Sequence, residues 1–187
     1  MLGKTGRGVG EYFGVPTHAV DIWMGTLSKS FAGCGGYAAG STAMVELMKF
    51  TASGFVYSVG MPPPPVAAAS LKAIEIMLAE PERLSALAAN GHLFLTASVD
   101  AGLNTSAAVG MSIIPVIVGG SAAAVRLSNR LAERGIHVNP ILFPAVEERQ
   151  ARLRFFLSST HSKEQITTAV NATAEELSYV KTEYKAN

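Results

Sequence analysis

One lysine segment constrains the fold of this chain more than any other stretch. It runs from Asp21 to Gly40 and reads DIWMGTLSKSFAGCGGYAAG. The pattern of this segment predicts two strands joined by a turn. Two apolar runs give the strands, and the residues between them are a hydroxyl-rich stretch with Lys29 and a glycine cluster. A lysine amine can form a Schiff base with an aldehyde, and hydroxyls and turn amides can bind a phosphate. The segment therefore suits an aldehyde cofactor with a phosphate tail, although an ordinary surface lysine beside a hairpin is the alternative.

The composition is that of a packed globular protein. Hydrophobic residues make up 49% of the 187 residues, which is too many for a disordered chain. The formal net charge is +1 and no basic cluster is present, so nucleic acid is not expected as a partner. We also identify no set of metal ligands. The single cysteine, Cys34, excludes an internal disulfide and is interpreted as a small space-filling residue in a reducing compartment.

No membrane segment or leader is predicted. No apolar run approaches the roughly 18 residues that a membrane span needs. The first residues, MLGKTGRGVGEYFG, lack the apolar centre of a signal peptide. We therefore expect a soluble, cytoplasmic protein.

Periodicity and turn residues predict the elements of the first half. In chain order they are a short helical piece at 11–13, a buried strand at 20–24, a strand at 36–40, a helix at 42–51, an extended proline stop at 62–65 and a helical tract at 66–100. Pro81 interrupts that tract as the first-turn residue of a new helix. Gly102 and Asn104 end it.

The last third of the chain predicts a β-α-β-β-α pattern. The expected elements are a strand at 111–118, a helix at 121–134, strands at 136–142 and 151–158, and a final amphipathic helix from 162. Ser121 is predicted to cap the first helix and Gly135 to stop it. The sequence SKEQ at Ser162 predicts a capping box. Residues 1–85 are therefore expected to form part of a larger α/β domain, and residues 86–187 a small C-terminal α/β domain.

The lysine segment resembles that of the α-oxoamine synthases, which are pyridoxal-phosphate enzymes of fold type I that join an amino acid to an acyl thioester. The resemblance implies that pyridoxal 5′-phosphate is held covalently on Lys29. It also implies that the hydroxyl of Thr26, three residues earlier, binds the phosphate. Ser28 is a weaker candidate, because we expect its side chain to point the other way. Tyr37 stands near the position where many aminotransferases carry a phosphate-binding arginine, which favours a synthase.

Three further segments follow in the order of that family. Gly6-Arg7-Gly8 with Glu11 is similar to a loop near the family's active site. The stretch FVYSVGMPP, with Ser58, is similar to a loop that reaches across a homodimer interface towards the partner subunit's cofactor phosphate. The plain alternative for Ser58 is a surface loop before a helix.

The third segment is ARLR at residues 151–154, followed by His161. A guanidinium suits a carboxylate, and Arg152 and Arg154 face the same side of a strand. The family's motif selects Arg154 as the ligand of the substrate carboxylate. The alternative is two solvated arginines on an edge strand, and His161 is interpreted as structural.

The resemblance covers the C-terminal half of the family only. The aspartate that pairs with the pyridine nitrogen and the histidine that stacks on the ring would precede Met1. We therefore expect an incomplete fragment that is inactive alone, and either a homodimer or a complementary N-terminal fragment as partner. The implied activity is condensation of an amino acid with an acyl thioester to an aminoketone. The alternatives are an aminotransferase or carbon–sulfur lyase of the same fold, and a non-catalytic partner subunit.

Overall fold

The computed structural model describes residues 2–57 and 62–185, with side chains to residue 183. It divides into two compact units, Met1–Leu84 and Ser85–Asn187, which we call the lysine unit and the C-terminal unit. Within the described residues, no helix combines the length and apolar character that a membrane span requires.

A two-stranded hairpin carries the lysine turn. Strand β1 (Ile22–Thr26) pairs antiparallel with β2 (Gly36–Gly40), and Thr26 lies opposite Gly36. The predicted bounds of β2 are confirmed, whereas β1 begins and ends two residues later than predicted. The prediction that this strand is buried is wrong for the described chain, since Met24 is 77% exposed. Within the described residues the sheet has no third strand to cover either edge.

The helices of the lysine unit follow their capping signals. They are α1 (Val9–Phe13), α2 (Thr42–Thr51), α3 (Ser53–Val56) and α4 (Pro64–Ala79). The predicted bounds of α2 are confirmed, and the Ser41 hydroxyl accepts a hydrogen bond from the Met44 N–H at its start. The extended proline stop is wrong for Pro64, which opens α4, because a helix tolerates proline in its first turn.

The C-terminal unit is a three-stranded antiparallel sheet with helices. Its elements are α5 (Glu82–Asp100, which begins just before the division), β3 (Ile113–Gly119), α6 (Ser121–Glu133), β4 (Asn139–Ile141), β5 (Ala151–Phe156) and α7 (Lys163–Lys185). The strand order is β3-β5-β4. The predicted β-α-β-β-α pattern is confirmed, with shorter strands than expected.

One hydrophobic core holds the C-terminal unit together. Alternate residues of β5 are buried, including Leu153 and Phe155, while Arg154 between them is exposed. Leu127 and Leu131 of α6 and Val170 of α7 are fully or almost fully buried in the same core. The period of two in the strand and of three to four in the helices therefore turns the apolar faces inward.

The two predicted N-terminal helix caps of this unit have different outcomes. The capping box is confirmed, because the Ser162 hydroxyl accepts from the Gln165 N–H and the Gln165 side chain accepts from the Ser162 N–H. Ser121 is not a cap: Gly120 holds that position. The Ser121 N–H and hydroxyl instead donate to the Glu148 carboxylate, at 2.7 and 2.6 Å. These hydrogen bonds hold the pKa of Glu148 below its ordinary value of 4.5.

Candidate functional site

The turn after β1 places Lys29 on an exposed, internally hydrogen-bonded loop. The Leu27 N–H donates to the Gly35 carbonyl at 3.0 Å, and the Gly33 N–H donates to the Leu27 carbonyl at 2.8 Å. A third bond, from Ala32 N–H to Lys29 carbonyl, closes the tip. Among the ion pairs of the described residues, none involves Lys29. Lys29 therefore lies on a turn fixed by backbone hydrogen bonds, and its amine has no carboxylate partner among the described residues.

Two hydroxyl groups stand together at the base of that turn. The Thr26 and Ser28 hydroxyl oxygens lie 2.7 Å apart, and the Ser28 N–H donates to the Thr26 hydroxyl at 3.2 Å. The expectation that Ser28 points away from Thr26 is wrong, because the chain bends at residues 27–29, directly after β1, and the two hydroxyls meet there. A hydroxyl pair beside a lysine is the donor set that a phosphate-bearing aldehyde needs. These residues therefore fit pyridoxal phosphate.

Helix α4 packs directly against the turn. A Cβ atom built on Gly33 would lie 2.9 Å from Val66 Cγ1 and 3.3 Å from Ser70 Oγ, so only glycine fits without a shift. Ser70 is buried, and its hydroxyl has no hydrogen-bond partner among the described residues. The sequence gives no signal for this contact, since a serine in an alanine-rich helix is unremarkable.

The loop before the hairpin folds around Glu11. Its carboxylate accepts from the Thr5 N–H and hydroxyl and from the Arg7 N–H, at 2.8, 2.9 and 3.0 Å. Desolvation raises the pKa of Glu11, but the hydrogen bonds from Arg7 and Thr5 outweigh it and hold that pKa below its ordinary value. Glu11 therefore organises the predicted glycine-rich loop.

Tyr37 and Cys34 are the other two side chains that the sequence singled out in the hairpin and its turn. The Tyr37 ring lies over Gly25, where an added Cβ would meet it at 2.6 Å. Cys34 is exposed, so its interpretation as a space-filling residue is wrong. The turn residues around it are fixed by backbone hydrogen bonds, which leave the thiol outside the packing.

The arginine strand lies in the C-terminal unit. Arg152 donates its Nε–H to the Gln150 carbonyl at 2.8 Å, whereas the Arg154 guanidinium lies 5.0 Å from the centre of the Phe156 ring. The shared face predicted for the two arginines is confirmed by the burial alternation of β5. None of the ion pairs among the described residues involves Arg154. Arg152 is likewise absent from these ion pairs, and the hydrogen bond from its Nε–H is what distinguishes it from Arg154.

A cavity of about 600 Å³ lies in the same unit, between the end of β5, the chain before β4 and the start of α7. Arg154, His161 and Asn139 are among its polar lining residues. Phe94, Phe155 and Ile166 contribute to its apolar wall. The cavity is invisible to sequence reasoning, because its walls come from segments far apart along the chain.

The predicted site residues belong to two different units of the chain. Lys29 and Thr26 share one turn of the lysine unit, and Arg154 belongs to the C-terminal unit. Ser58 lies outside the described residues.

Comparisons with known proteins identify the fold. The chain superposes on serine palmitoyltransferase of Sphingomonas wittichii with a TM-score of 0.86 and 27% identity, covering 97% of this chain and 45% of that one. It also superposes on 8-amino-7-oxononanoate synthase of Francisella tularensis, with a TM-score of 0.83, 26% identity and coverage of 96% and 52%. The fold is therefore part of a fold-type-I pyridoxal-phosphate-dependent enzyme, as predicted.

Sequence comparison gives the family. The model for aminotransferase class I and II matches residues 3–172, and this chain belongs to that family. An 8-amino-7-oxononanoate synthase of Symbiobacterium thermophilum is 41% identical over 175 residues, which are 94% of this chain and 44% of that protein. A serine palmitoyltransferase of Sphingobacterium spiritivorum is 34% identical over 170 residues, or 91% and 43%. The resemblance to α-oxoamine synthases is confirmed, and the chain spans about half the length of these relatives.

Proposed function

We propose that this chain supplies the lysine and the carboxylate-binding arginine of a pyridoxal-phosphate-dependent C-acyltransferase. The substrates are an amino acid and an acyl thioester, carried by coenzyme A or an acyl carrier protein, and the product is an aminoketone. The observation that carries the proposal is the Lys29 turn, with the Thr26 and Ser28 hydroxyls 2.7 Å apart at its base. The names of the relatives support the same chemistry.

Lys29 holds the cofactor covalently through Nζ in this proposal, and Thr26 binds its phosphate. The Ser28 hydroxyl, which lies beside that of Thr26, is a second phosphate ligand in this proposal. Ser58 remains proposed as a phosphate ligand on the family's motif alone. When bound, pyridoxal phosphate supplies an electron sink for a carbanion at the substrate Cα.

The chain's own residues supply binding and proton transfer. Arg154 binds the amino-acid carboxylate through charge-assisted hydrogen bonds and thereby orients the Cα–H bond. The Lys29 amine, once free, takes the proton from Cα. The Cα then bonds to the thioester carbonyl carbon as the thiol leaves. Loss of the substrate carboxyl group as CO2, with a proton returned to Cα, gives the aminoketone. Lys29 also argues against a non-catalytic partner subunit, because such a subunit has no need of that amine.

The chain alone is proposed to be inactive, with either a homodimer or a complementary N-terminal fragment completing the site. Exposed apolar side chains of the lysine unit support a partner, among them Met24, Phe50 and Tyr57. Light scattering on the isolated chain should show self-association, or binding to a supplied N-terminal half. A stable monomer at high concentration that ignores that half would contradict this.

The products of the intact protein test the reaction. Amino acid plus acyl thioester should release free thiol and form an aminoketone. Release of a 2-oxo acid that depends on an added keto acceptor, without thiol, would favour the aminotransferase. Pyruvate or another keto acid with loss of a sulfur leaving group would favour the lyase.

Arg154→Ala should weaken amino-acid binding by about 1.5–3 kcal/mol, the usual loss for a hydrogen bond to a charged group. Arg152→Ala is the matched control, since its Nε–H is used by the Gln150 carbonyl. If the two variants bound the amino acid equally well, Arg154 would be a solvated arginine on an edge strand and not a substrate ligand.

A further inference from the structure

His161 offers the cavity one defined hydrogen-bond donor. The Ser158 backbone N–H donates to His161 Nδ1 at 3.2 Å. A nitrogen that accepts a hydrogen bond carries no proton, so the neutral ring carries its proton on Nε2. Because Nδ1 is used within its own turn, Nε2–H is the ring group left for a ligand of the cavity that His161 lines.

The turn that holds this ring is fixed from another element. The Asn90 side-chain amide, on α5, donates to the carbonyls of Ser158 and His161, both at 2.9 Å. The following capping box continues the same arrangement into α7. Such support keeps a side chain in one orientation, which lowers the entropic cost of binding a ligand.

The charges around the cavity leave one cation for an anionic ligand. Arg134 is paired with Glu175 and Glu176. The Glu164 carboxylate is engaged at the start of α7, where its own backbone N–H and the Ser162 hydroxyl lower its pKa. Arg154 alone of the two lining arginines takes part in none of the ion pairs among the described residues.

The size and walls of the cavity indicate the rest of the ligand. Pockets of roughly 300–1,000 Å³ hold whole small molecules, and this one measures about 600 Å³. Phe94, Phe155 and Ile166 give it an apolar wall. A carboxylate attached to an apolar body matches both the wall and the donors.

We propose that His161 Nε2–H is a second donor, beside Arg154, to a carboxylate ligand with an apolar body that binds in this cavity. The inference rests on the proposal that Arg154 binds a substrate carboxylate, and it assigns His161 a binding role in place of a purely structural one.

Hexanoate binding to the full chain tests this, with hexanamide as the uncharged counterpart. Hexanoate should bind more tightly than hexanamide. His161→Asn should weaken hexanoate binding by about tenfold, because an asparagine oxygen can still accept from Ser158 N–H while the Nε2–H donor is lost. Its hexanamide binding and melting temperature should change little. His18→Asn, in the other unit, is the matched control.

Nitrogen NMR of isotopically labelled histidine gives a second readout. The His161 ring should show a proton on Nε2 and an accepting Nδ1, and added hexanoate should shift Nε2 saturably. A proton on Nδ1, or unchanged hexanoate binding in His161→Asn while Arg154→Ala loses about 10- to 100-fold, would overturn the inference and leave Arg154 in place. Loss in His161→Asn without loss in Arg154→Ala would instead contradict the proposed role of Arg154.

Discussion

The two units of this chain differ sharply in how they bury apolar surface. Every buried hydrophobic side chain identified among the described residues belongs to the C-terminal unit, from Phe94 to Val180. In the lysine unit the buried described residues are Gly10 and Ser70. The C-terminal unit thus contains a core of its own, whereas the lysine unit presents the Lys29 turn on a two-stranded hairpin. The apolar core and the Lys29 turn are therefore separated along the sequence.

The largest expected effect comes from truncating the same kind of side chain in each unit. Leu153→Ala should lower the free energy of unfolding by about 2–5 kcal/mol, because Leu153 is 0% exposed in the core. Met24→Ala should change it by less than about 0.5 kcal/mol, because Met24 is 77% exposed. Denaturant unfolding of both variants measures this. Equal losses would mean that the lysine unit shares the core.

A second contrast uses two helical glycines. A Cβ on Gly91 of α5 would lie 2.4 Å from the Gly110 carbonyl oxygen and 2.7 Å from that of Met111, so Gly91→Ala forces backbone apart. We expect a loss of about 1–3 kcal/mol. At Gly54 of α3, no atom of the described residues lies within 4 Å of the Cβ position, apart from its chain neighbours and its own helix backbone, so Gly54→Ala should be nearly neutral. Thermal melts compare them, and a neutral Gly91→Ala would show that the segment at 110–111 is free to move.

The smallest contrast concerns acid. Glu176 is 8% exposed, and its carboxylate accepts hydrogen bonds from Arg130 and Arg134. The bond from Arg130, together with that from Arg134, lowers the pKa of Glu176, although burial opposes the shift. A lowered folded-state pKa contributes stability above the unfolded pKa, and this contribution is lost as pH falls through the folded value.

The melting temperature should therefore decrease as pH is lowered through the acid range. In Glu176→Gln this decrease should be smaller by a few degrees. Glu46→Gln is the control in the lysine unit, because the exposed Glu46–Lys49 pair contributes little. If both variants kept the slope of the parent chain, the Glu176 cluster would not be the origin of the acid sensitivity.

Local signals in the sequence predicted the elements that carry them. Strand β2 and helix α2 have the predicted bounds, because glycines delimit the first and Ser41 caps the second. The capping box at Ser162 formed as predicted, since both of its partners lie within one turn.

Features that depend on partners far away in the sequence were either predicted wrongly or not predicted. Serine is a common helix-capping residue, but Ser121 instead donates hydrogen bonds to the carboxylate of Glu148, 27 residues away. The buried strand was inferred from apolar composition, which cannot show whether neighbouring strands cover it. The orphan Ser70 hydroxyl and the cavity beside Arg154 arise from tertiary packing, and no local pattern encodes them.

The covalent cofactor on Lys29 is the claim that separates this chain from an ordinary hairpin, and borohydride reduction tests it most directly. The intact protein, in which this chain is joined to the other half that its relatives carry, is reduced with pyridoxal phosphate present and mapped by mass spectrometry. The fixed label should lie on Lys29, disappear in Lys29→Ala and persist in Lys49→Ala. A label recovered on Lys4 or Lys49, or one that survives Lys29→Ala, would contradict the assignment.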